Sequence, residues 1–471
     1  MAELADETST GAGWLDEPGQ ASHPGVLGLC LAWSLAEPGR VGEVALMPGP
    51  RAVLGRGAGS PEDDGPRLRF GRWRPGGVEE GEALAGQGVS RLQLRLRTRS
   101  GGLEVENVGR APLRLNGAVT PRAAVGAGDV LQVDRQLVML VVARPRGLLS
   151  RGGPPPTFAF GEPDASGIVG EAPATWVLRD EVALAARRTG HALVVGQSGT
   201  GKELIARALH ACGARSVGPF VARNAATLPA GVLDAELFGN AKNYPNAGMA
   251  ERPGLVGEAH GGTLFLDEIG ELSPEFQAHL LRLLDSGEYH RLGEAAARRV
   301  DLRVIAATNR GEAALKSDFG ARFPLRIRAP GLDERAEDVP LLVRHLLRAA
   351  ARREPLLLER FAASSGAELR VDPALIEALL RHGWTTHVRE LELLLSTAIA
   401  GSHGAFIALT EAVKERLSLR GREPSAEEIS SALERTRGNI SRAAQELGLP
   451  SRDVLYRLLK KHSIKPDRGE G

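Results

Sequence analysis

The chain has 471 residues, enough at roughly 100–200 per domain for about three domains with sizeable cores, which excludes a peptide hormone or a disulfide miniprotein. Its 59 Lys and Arg against 58 Asp and Glu leave a net charge of +1, so any preference for nucleic acid, membrane or acidic ligands must be local. Cys30 and Cys212 are the only cysteines, which excludes a disulfide framework or a cysteine zinc site and fits a reducing, cytoplasmic setting.

Residues 1–26 read as a disordered tail, and 1–20 lack the basic-then-apolar pattern of a secretory signal. No apolar run approaches the roughly 18 residues needed to cross a bilayer, so no membrane partner is expected. Between 27 and 145, short apolar or alternating runs at 51–54, 92–96, 103–108, 113–115 and 130–142 are divided by Gly, Pro and Asn turns, the pattern of a small β-sandwich. Residues 146–172, with Gly152-Gly153-Pro154-Pro155-Pro156, read as a linker. From 173 to 332 the buried-strand runs 192–195, 264–266 and 304–307 alternate with helical patterns, which predicts an α/β domain with a mainly parallel sheet. A helical subdomain at 333–402, a second linker at 403–424 and a last helical unit at 425–465 complete a multidomain chain.

Gly196-Gln197-Ser198-Gly199-Thr200-Gly201-Lys202 follows a strand and opens an amphipathic helix, the context a phosphate-binding loop needs. Its glycines let backbone amides converge on phosphate oxygens, and Lys202 adds a point charge beside the terminal phosphates. Glu203 stands where most such loops place the magnesium-holding Ser or Thr. Gly261-Gly262-Thr263-Leu264-Phe265-Leu266-Asp267-Glu268 is an apolar strand ending in two acids: Asp267 is the expected magnesium ligand and Glu268 the residue that polarises the attacking water. A third strand ends in Thr308-Asn309, whose polar side chains suit sensing of the γ phosphate.

These motifs resemble the AAA+ domain of sigma-54-dependent transcription activators, in which Glu after the P-loop lysine is the usual residue. The resemblance continues through Glu236-Leu237-Phe238-Gly239, Ala306-Ala307-Thr308-Asn309, Glu337-Asp338-Val339-Pro340 and Val388-Arg389-Glu390-Leu391. It implies an ATPase core at 173–332 with a helical lid at 333–402, ATP and Mg2+ as cofactors, Asn224 restraining Glu268, and Arg389 reaching the nucleotide from the lid. Lys316 and Arg322 take the places of two arginines that enter a neighbouring subunit's site, which implies a homo-oligomer, a hexameric ring. One departure is clear. The family's Gly-Ala-Phe-Thr-Gly-Ala loop, which touches sigma-54 on the RNA polymerase, is preserved in length but reads Asn243-Tyr244-Pro245-Asn246-Ala247-Gly248. ATP binding therefore has fuller motif support than sigma-54 remodelling.

At the N-terminal end, Arg56 offers a charge-assisted donor and Ser90 a hydroxyl for a phosphate dianion. Gly55-Arg56, Ser90-Arg91 and Asn116-Gly117 resemble the motifs of a forkhead-associated (FHA) domain, which implies binding of a phosphothreonine-containing protein through Arg56, Ser90, Arg91 and Asn116. Gln93 replaces that family's structural His. At the C-terminal end, Ile429, Ala432 and Leu433, then Ile440, Ala443, Ala444 and Leu447, then Leu455, Leu458 and Leu459 mark three helix faces around the turn Gly448-Leu449-Pro450. The run from Gly438 to Arg457 resembles a Fis-type helix-turn-helix, a dimeric reader of double-stranded DNA, and Arg452, Tyr456, Arg457, Lys460 and Lys461 form the expected DNA-binding face. The expectation is a cytoplasmic bacterial transcription regulator; the alternative is a DNA-binding scaffold that binds ATP as an assembly switch with little hydrolysis.

Overall fold

The computed structural model describes residues 25–57, 59, 64–99, 102–148, 150–151, 153–227, 230–310, 315–362, 368–417, 426–436, 438, 440–447, 455–456, 458–459, 462 and 464. The N-terminal part is built from β1 (Val26–Ser34), β2 (Val44–Leu46), β3 (Arg51–Leu54), β4 (Gly71–Arg74), β5 (Gly77–Glu80), β6 (Leu94–Arg99), β7 (Gly102–Asn107), β8 (Leu113–Leu115), β9 (Ala118–Val119), β10 (Arg122–Val125), β11 (Val130–Val133) and β12 (Leu137–Arg144). Among the described residues they form an antiparallel sandwich: one sheet in the order β5-β4-β2-β1-β12-β11-β8-β9, the other β10-β7-β6-β3. The run expected at 130–142 is a hairpin rather than one strand. Asp134, at φ 43°, turns the chain, and Gln132 Nε2 donates to the Asp134 carbonyl at 2.5 Å.

Leu29 and Leu31 of β1 and Met139 and Val141 of β12 point inward, into the core between the sheets. The opposite face is also buried. Cys30, Ala32, Val138, Leu140 and Val142 belong to one apolar cluster with Leu341, Leu375, Ile376 and Leu379 of the helical subdomain. This double burial explains why 137–142 reads as an unbroken apolar run, where a sandwich strand with one wet face would alternate.

The segment expected as a linker is packed rather than free. Phe158 lies between the guanidiniums of Arg74 and Arg179, at 4.3 and 4.7 Å. Buried Glu171 pairs with Arg74 at 2.5 Å and accepts from Trp176 Nε1 at 3.2 Å.

Next come α1 (Pro173–Ala186), β13 (Ala192–Val195), α2 (Lys202–Ala211), β14 (Phe220–Asn224), α3 (Ala230–Phe238), α4 (Gly254–Glu258), β15 (Thr263–Asp267), α5 (Pro274–Ser286), β16 (Glu288–Tyr289), β17 (Arg298–Arg299), β18 (Arg303–Thr308), α6 (Ser317–Gly320) and β19 (Leu325–Arg328). Strands β14-β15-β18-β13-β19 form a parallel sheet, with Leu193, Leu264 and Ile305 among its fully buried residues. In such a sheet the C-terminal strand edge is where ligands bind. The lid is α7 (Val339–Arg353), α8 (Leu356–Phe361), α9 (Pro373–Leu380), α10 (His387–Gly401) and α11 (Glu411–Lys414), and α12 (Ala426–Arg435) with α13 (Ile440–Glu446) opens the last unit. There, the apolar faces expected from periodicity meet: Ile429, Ala432, Leu433, Ala443, Ala444, Leu455, Leu458 and Leu459 form a cluster of their own. Among the described residues no helix is long and apolar enough to cross a membrane.

Candidate functional site

The loop after β13 carries Gly199 at φ 77° and Gly201 at φ 95°, the left-handed values that let successive amides face one point. The loop is fastened below by Gly196, whose amide donates to the Thr308 carbonyl at 3.1 Å, and internally by Thr200 Oγ1, which donates to the Gln197 carbonyl at 2.8 Å. Lys202 opens α2, and its ammonium donates to the carbonyls of Gly196 (3.0 Å) and Gln197 (3.2 Å). Burial pushes this ammonium below its ordinary pKa, against the pull of Asp267 and Glu268.

Asp267 ends β15, beside Asn224 at the end of β14, because the parallel register pairs the two residues. Burial raises the Asp267 carboxyl above its usual range, opposed by the Glu268 amide, which donates to Asp267 Oδ1 at 2.9 Å, and by Lys202. Glu268 sits at φ 55°, a conformation of non-glycine residues that marks sites under constraint. Asn224 Nδ2 donates to Glu268 Oε2 at 3.2 Å. A lysine and an aspartate both pushed toward neutrality by burial fit a polyphosphate on one side and a divalent cation on the other, since each would restore its partner's charged form. Thr308 is fully buried and holds the Arg310 backbone with its hydroxyl; Asn309 follows it, exposed at the same strand edge.

Arg389, in the first turn of α10, donates from Nη1 to Ser198 Oγ at 3.2 Å, so the lid reaches the P-loop. Two residues absent from the expected site stand beside it. Arg335 is buried and donates from Nη2 to the Thr200 carbonyl at 3.4 Å, and buried His387 bonds Gln197 Oε1 at 2.5 Å. Neither carries a periodic signal, but Glu334-Arg335 belongs with the Glu337-Asp338-Val339-Pro340 run to the family resemblance, and His387 stands two residues before Arg389. Glu203, in contrast, turns outward to Arg207 at 2.7 Å. Arg322 pairs with Asp285 of its own chain, its Nη2 at 3.3 Å from Oδ2. Lys316 precedes α6 and its amide donates to Gln277 Oε1.

In the sandwich, Arg56 and Ser90 meet: the Arg56 amide donates to the Ser90 carbonyl at 3.1 Å, and Ser90 Oγ accepts from the Arg110 amide at 3.0 Å. Arg91 is exposed, with its carbonyl held by Arg67 Nη1 at 2.8 Å. Asn116 bonds elsewhere. Its carboxamide bridges Asp129 Oδ1 and the Val130 amide, and its carbonyl accepts from Arg381 of the lid at 2.7 Å, so it serves a turn and an interface. Of the expected DNA-binding face, Tyr456 is half exposed; Arg452, Arg457, Lys460 and Lys461 lie outside the described residues.

The chain matches the family described as Sigma-54 interaction domain over residues 168–327, AAA+ ATPase lid domain over 333–428, and Bacterial regulatory protein, Fis family over 422–462. The Transcriptional regulatory protein ZraR of Salmonella typhimurium is 37% identical over 310 residues, 62% of this chain and 68% of that protein. The Nif-specific regulatory protein of Bradyrhizobium diazoefficiens is 39% identical over 264 residues, 55% of this chain and 44% of that one. A crystal structure of NtrX from Brucella abortus in complex with ADP aligns over 64% of this chain and 69% of its own, at 28% identity and a TM-score of 0.47.

Proposed function

The chain belongs to the sigma-54-dependent transcription activators, and we propose on that footing that it is an ATP-hydrolysing, DNA-binding regulator whose N-terminal sandwich takes a phosphothreonine signal. The observation that carries this reading is the convergence of Lys202, at the start of α2, with Asp267 and an Asn224-held Glu268 at the ends of the neighbouring parallel strands β15 and β14, while Arg389 reaches the same loop. ATP would supply the scissile phosphoanhydride, and Mg2+ bound with it would neutralise charge on the phosphates. Lys202 and the loop amides would bind the phosphates, Asp267 would hold the cation, and Glu268 would accept the proton of the attacking water. Asn224 keeps Glu268 from that water until the pair separates, and Asn309, exposed just past the end of β18, would be the residue to contact the γ phosphate.

Arg322 acts in a neighbouring subunit of a ring by exchanging Asp285 for that subunit's phosphates, and the exposed ion pair makes the exchange inexpensive. DNA is held by the C-terminal unit through Tyr456 and its basic neighbours. Arg56, Ser90 and Arg91 are the phosphate-reading group of the FHA-like sandwich, supported by the buried Nε of Arg56, which has no partner among the described residues. Its signal passes to the nucleotide through the lid on which the sandwich rests.

Turnover is kept apart from sigma-54 remodelling in this reading. Loop 243–248 closes on itself, with the Asn243 amide donating to the Met249 carbonyl at 2.9 Å and Asn243 Oδ1 accepting from the Gly248 amide at 3.0 Å; Tyr244 is the aromatic it exposes. Steady-state and single-turnover ATPase assays test the proposal. Lys202→Ala is expected to abolish binding and turnover, and Glu268→Gln to keep binding while losing roughly 100-fold or more in rate, the scale of a general base. Equal turnover in wild type and Lys202→Ala overturns the enzymatic reading; a wild-type rate no faster than that of Glu268→Gln favours the ATP-bound scaffold.

A further inference from the structure

We propose that His387 is a positioning residue for the nucleotide: through Gln197 it clasps the P-loop to the lid, so that ordering the loop and closing the lid are one event. This rests on the nucleotide reading above and deepens it. The imidazole is fixed from both sides. The Leu332 amide donates to its Nδ1 at 3.2 Å, which leaves the proton on Nε2, and Nε2 donates to Gln197 Oε1 at 2.5 Å. The ring is buried, and Gly331 lies so near that a Cβ there would come within 2.6 Å of it.

The backbone around the clasp is equally committed. His387 adopts φ 46°, a left-handed value that Gly or Asn takes more readily, and it is held there at the first residue of α10. The next amide, of Val388, donates to the Gly199 carbonyl at 3.1 Å. At Gly199 itself a Cβ would sit 1.9 Å from the Thr386 carbonyl, so the lid touches the P-loop at a point only glycine allows. The Gln197 side chain thus leaves the phosphate cradle to its backbone and reaches the lid. Arg389 contacts the same loop one residue further on, at Ser198. Any movement of the P-loop on phosphate binding must move or break the Gln197 to His387 bond, and any lid rotation must do the same.

A double-mutant cycle tests the clasp in the full-length chain, titrated with the fluorescent analogue mant-ATP and Mg2+. Gln197→Leu and His387→Ala are each expected to weaken binding about 5- to 10-fold, and the double variant about 10-fold, because contacting pairs couple. Gln197→Glu, which keeps an acceptor for Nε2, is expected to stay within about twofold of wild type, a rescue that a general packing defect would not give. Since Gln197→Leu leaves the Leu332 bond to His387 intact, it remains informative even where His387→Ala does not fold. Multiplicative losses in the double variant, or Gln197→Leu binding as wild type does, overturn the clasp alone, provided wild type binds and Lys202→Ala does not. Wild type that fails to bind mant-ATP overturns both the clasp and the nucleotide reading.

Discussion

At one end of the chain, Val138, Leu140 and Val142 of β12 share a buried cluster with Leu375, Ile376 and Leu379 of α9. At the other, Ile429, Ala432 and Leu433 bury themselves against Ala443, Ala444 and Leu455, all within the last unit. Both modules flank the AAA+ core, and among the described residues only the first shares a buried cluster with its lid. The sandwich is further tied by Arg144, which donates to the Glu171 carbonyl at 2.7 Å and pairs with Glu337 at 3.4 Å, and by Arg381 on Asn116. A module joined through shared apolar surface unfolds and moves with its host, whereas one with a separate cluster is joined by chain alone. The N-terminal sandwich is therefore built to move with the lid, while the last helical unit, among the described residues, packs on itself.

The most severe way to break this contrast is deletion. Removing 1–145 exposes the apolar face of the lid and is expected to cost several kcal/mol, lowering the calorimetric midpoint of the ATPase core by about 10 °C or more, while removing 418–471 leaves it unchanged. Arg144→Ala strands the Glu337 carboxylate in the interface and, at pH 8, is expected to destabilise the joined body by about 3–5 kcal/mol in urea unfolding. In Leu455→Ala a cavity of about 2–5 kcal/mol falls on the last unit only. DNA binding in a mobility-shift assay should then be lost with no change in ATP turnover.

The pH dependence sharpens the same interface. Burial, against the pull of Arg144, pushes the Glu337 carboxyl up from 4.5 to about 7. A raised carboxyl binds more protons folded than unfolded, so its contribution to stability is fully present below pH 4.5 and is lost as pH rises through about 7. Glu337→Gln is expected to flatten that slope in melts at pH 5, 6, 7 and 8. The smallest effect belongs to Arg135, whose pair with Asp372 at 2.9 Å lies at the rim with Arg135 largely exposed. Arg135→Ala should change stability by about 0–1 kcal/mol and lose even that in 0.5 M salt, as melts in the two buffers would show.

Local chemistry was readable wherever neighbours in sequence are neighbours in space. The P-loop, the strand ending in Asp267-Glu268 and the three apolar faces of the last unit follow from spacing, since a helix or strand repeats its buried face at a fixed period. The sequence also showed that the sandwich precedes an α/β core. It could not show that β12 is buried on both faces: an unbroken apolar run records burial without naming what covers it. Asn116 illustrates the same limit, because an Asn-Gly turn announces its backbone shape and not the Arg381 that docks on its carbonyl. His387 offers no periodic pattern, being one residue whose two ring nitrogens are claimed by Leu332 and Gln197, 55 and 190 positions away. What the sequence by itself determined was the order of domains and the chemistry of the phosphate site, because both are written in short-range spacing. The tertiary structure alone decided that the N-terminal sandwich sits on the lid and that the lid grips the P-loop, because contacts between distant segments are selected by the shape and burial of the assembled chain.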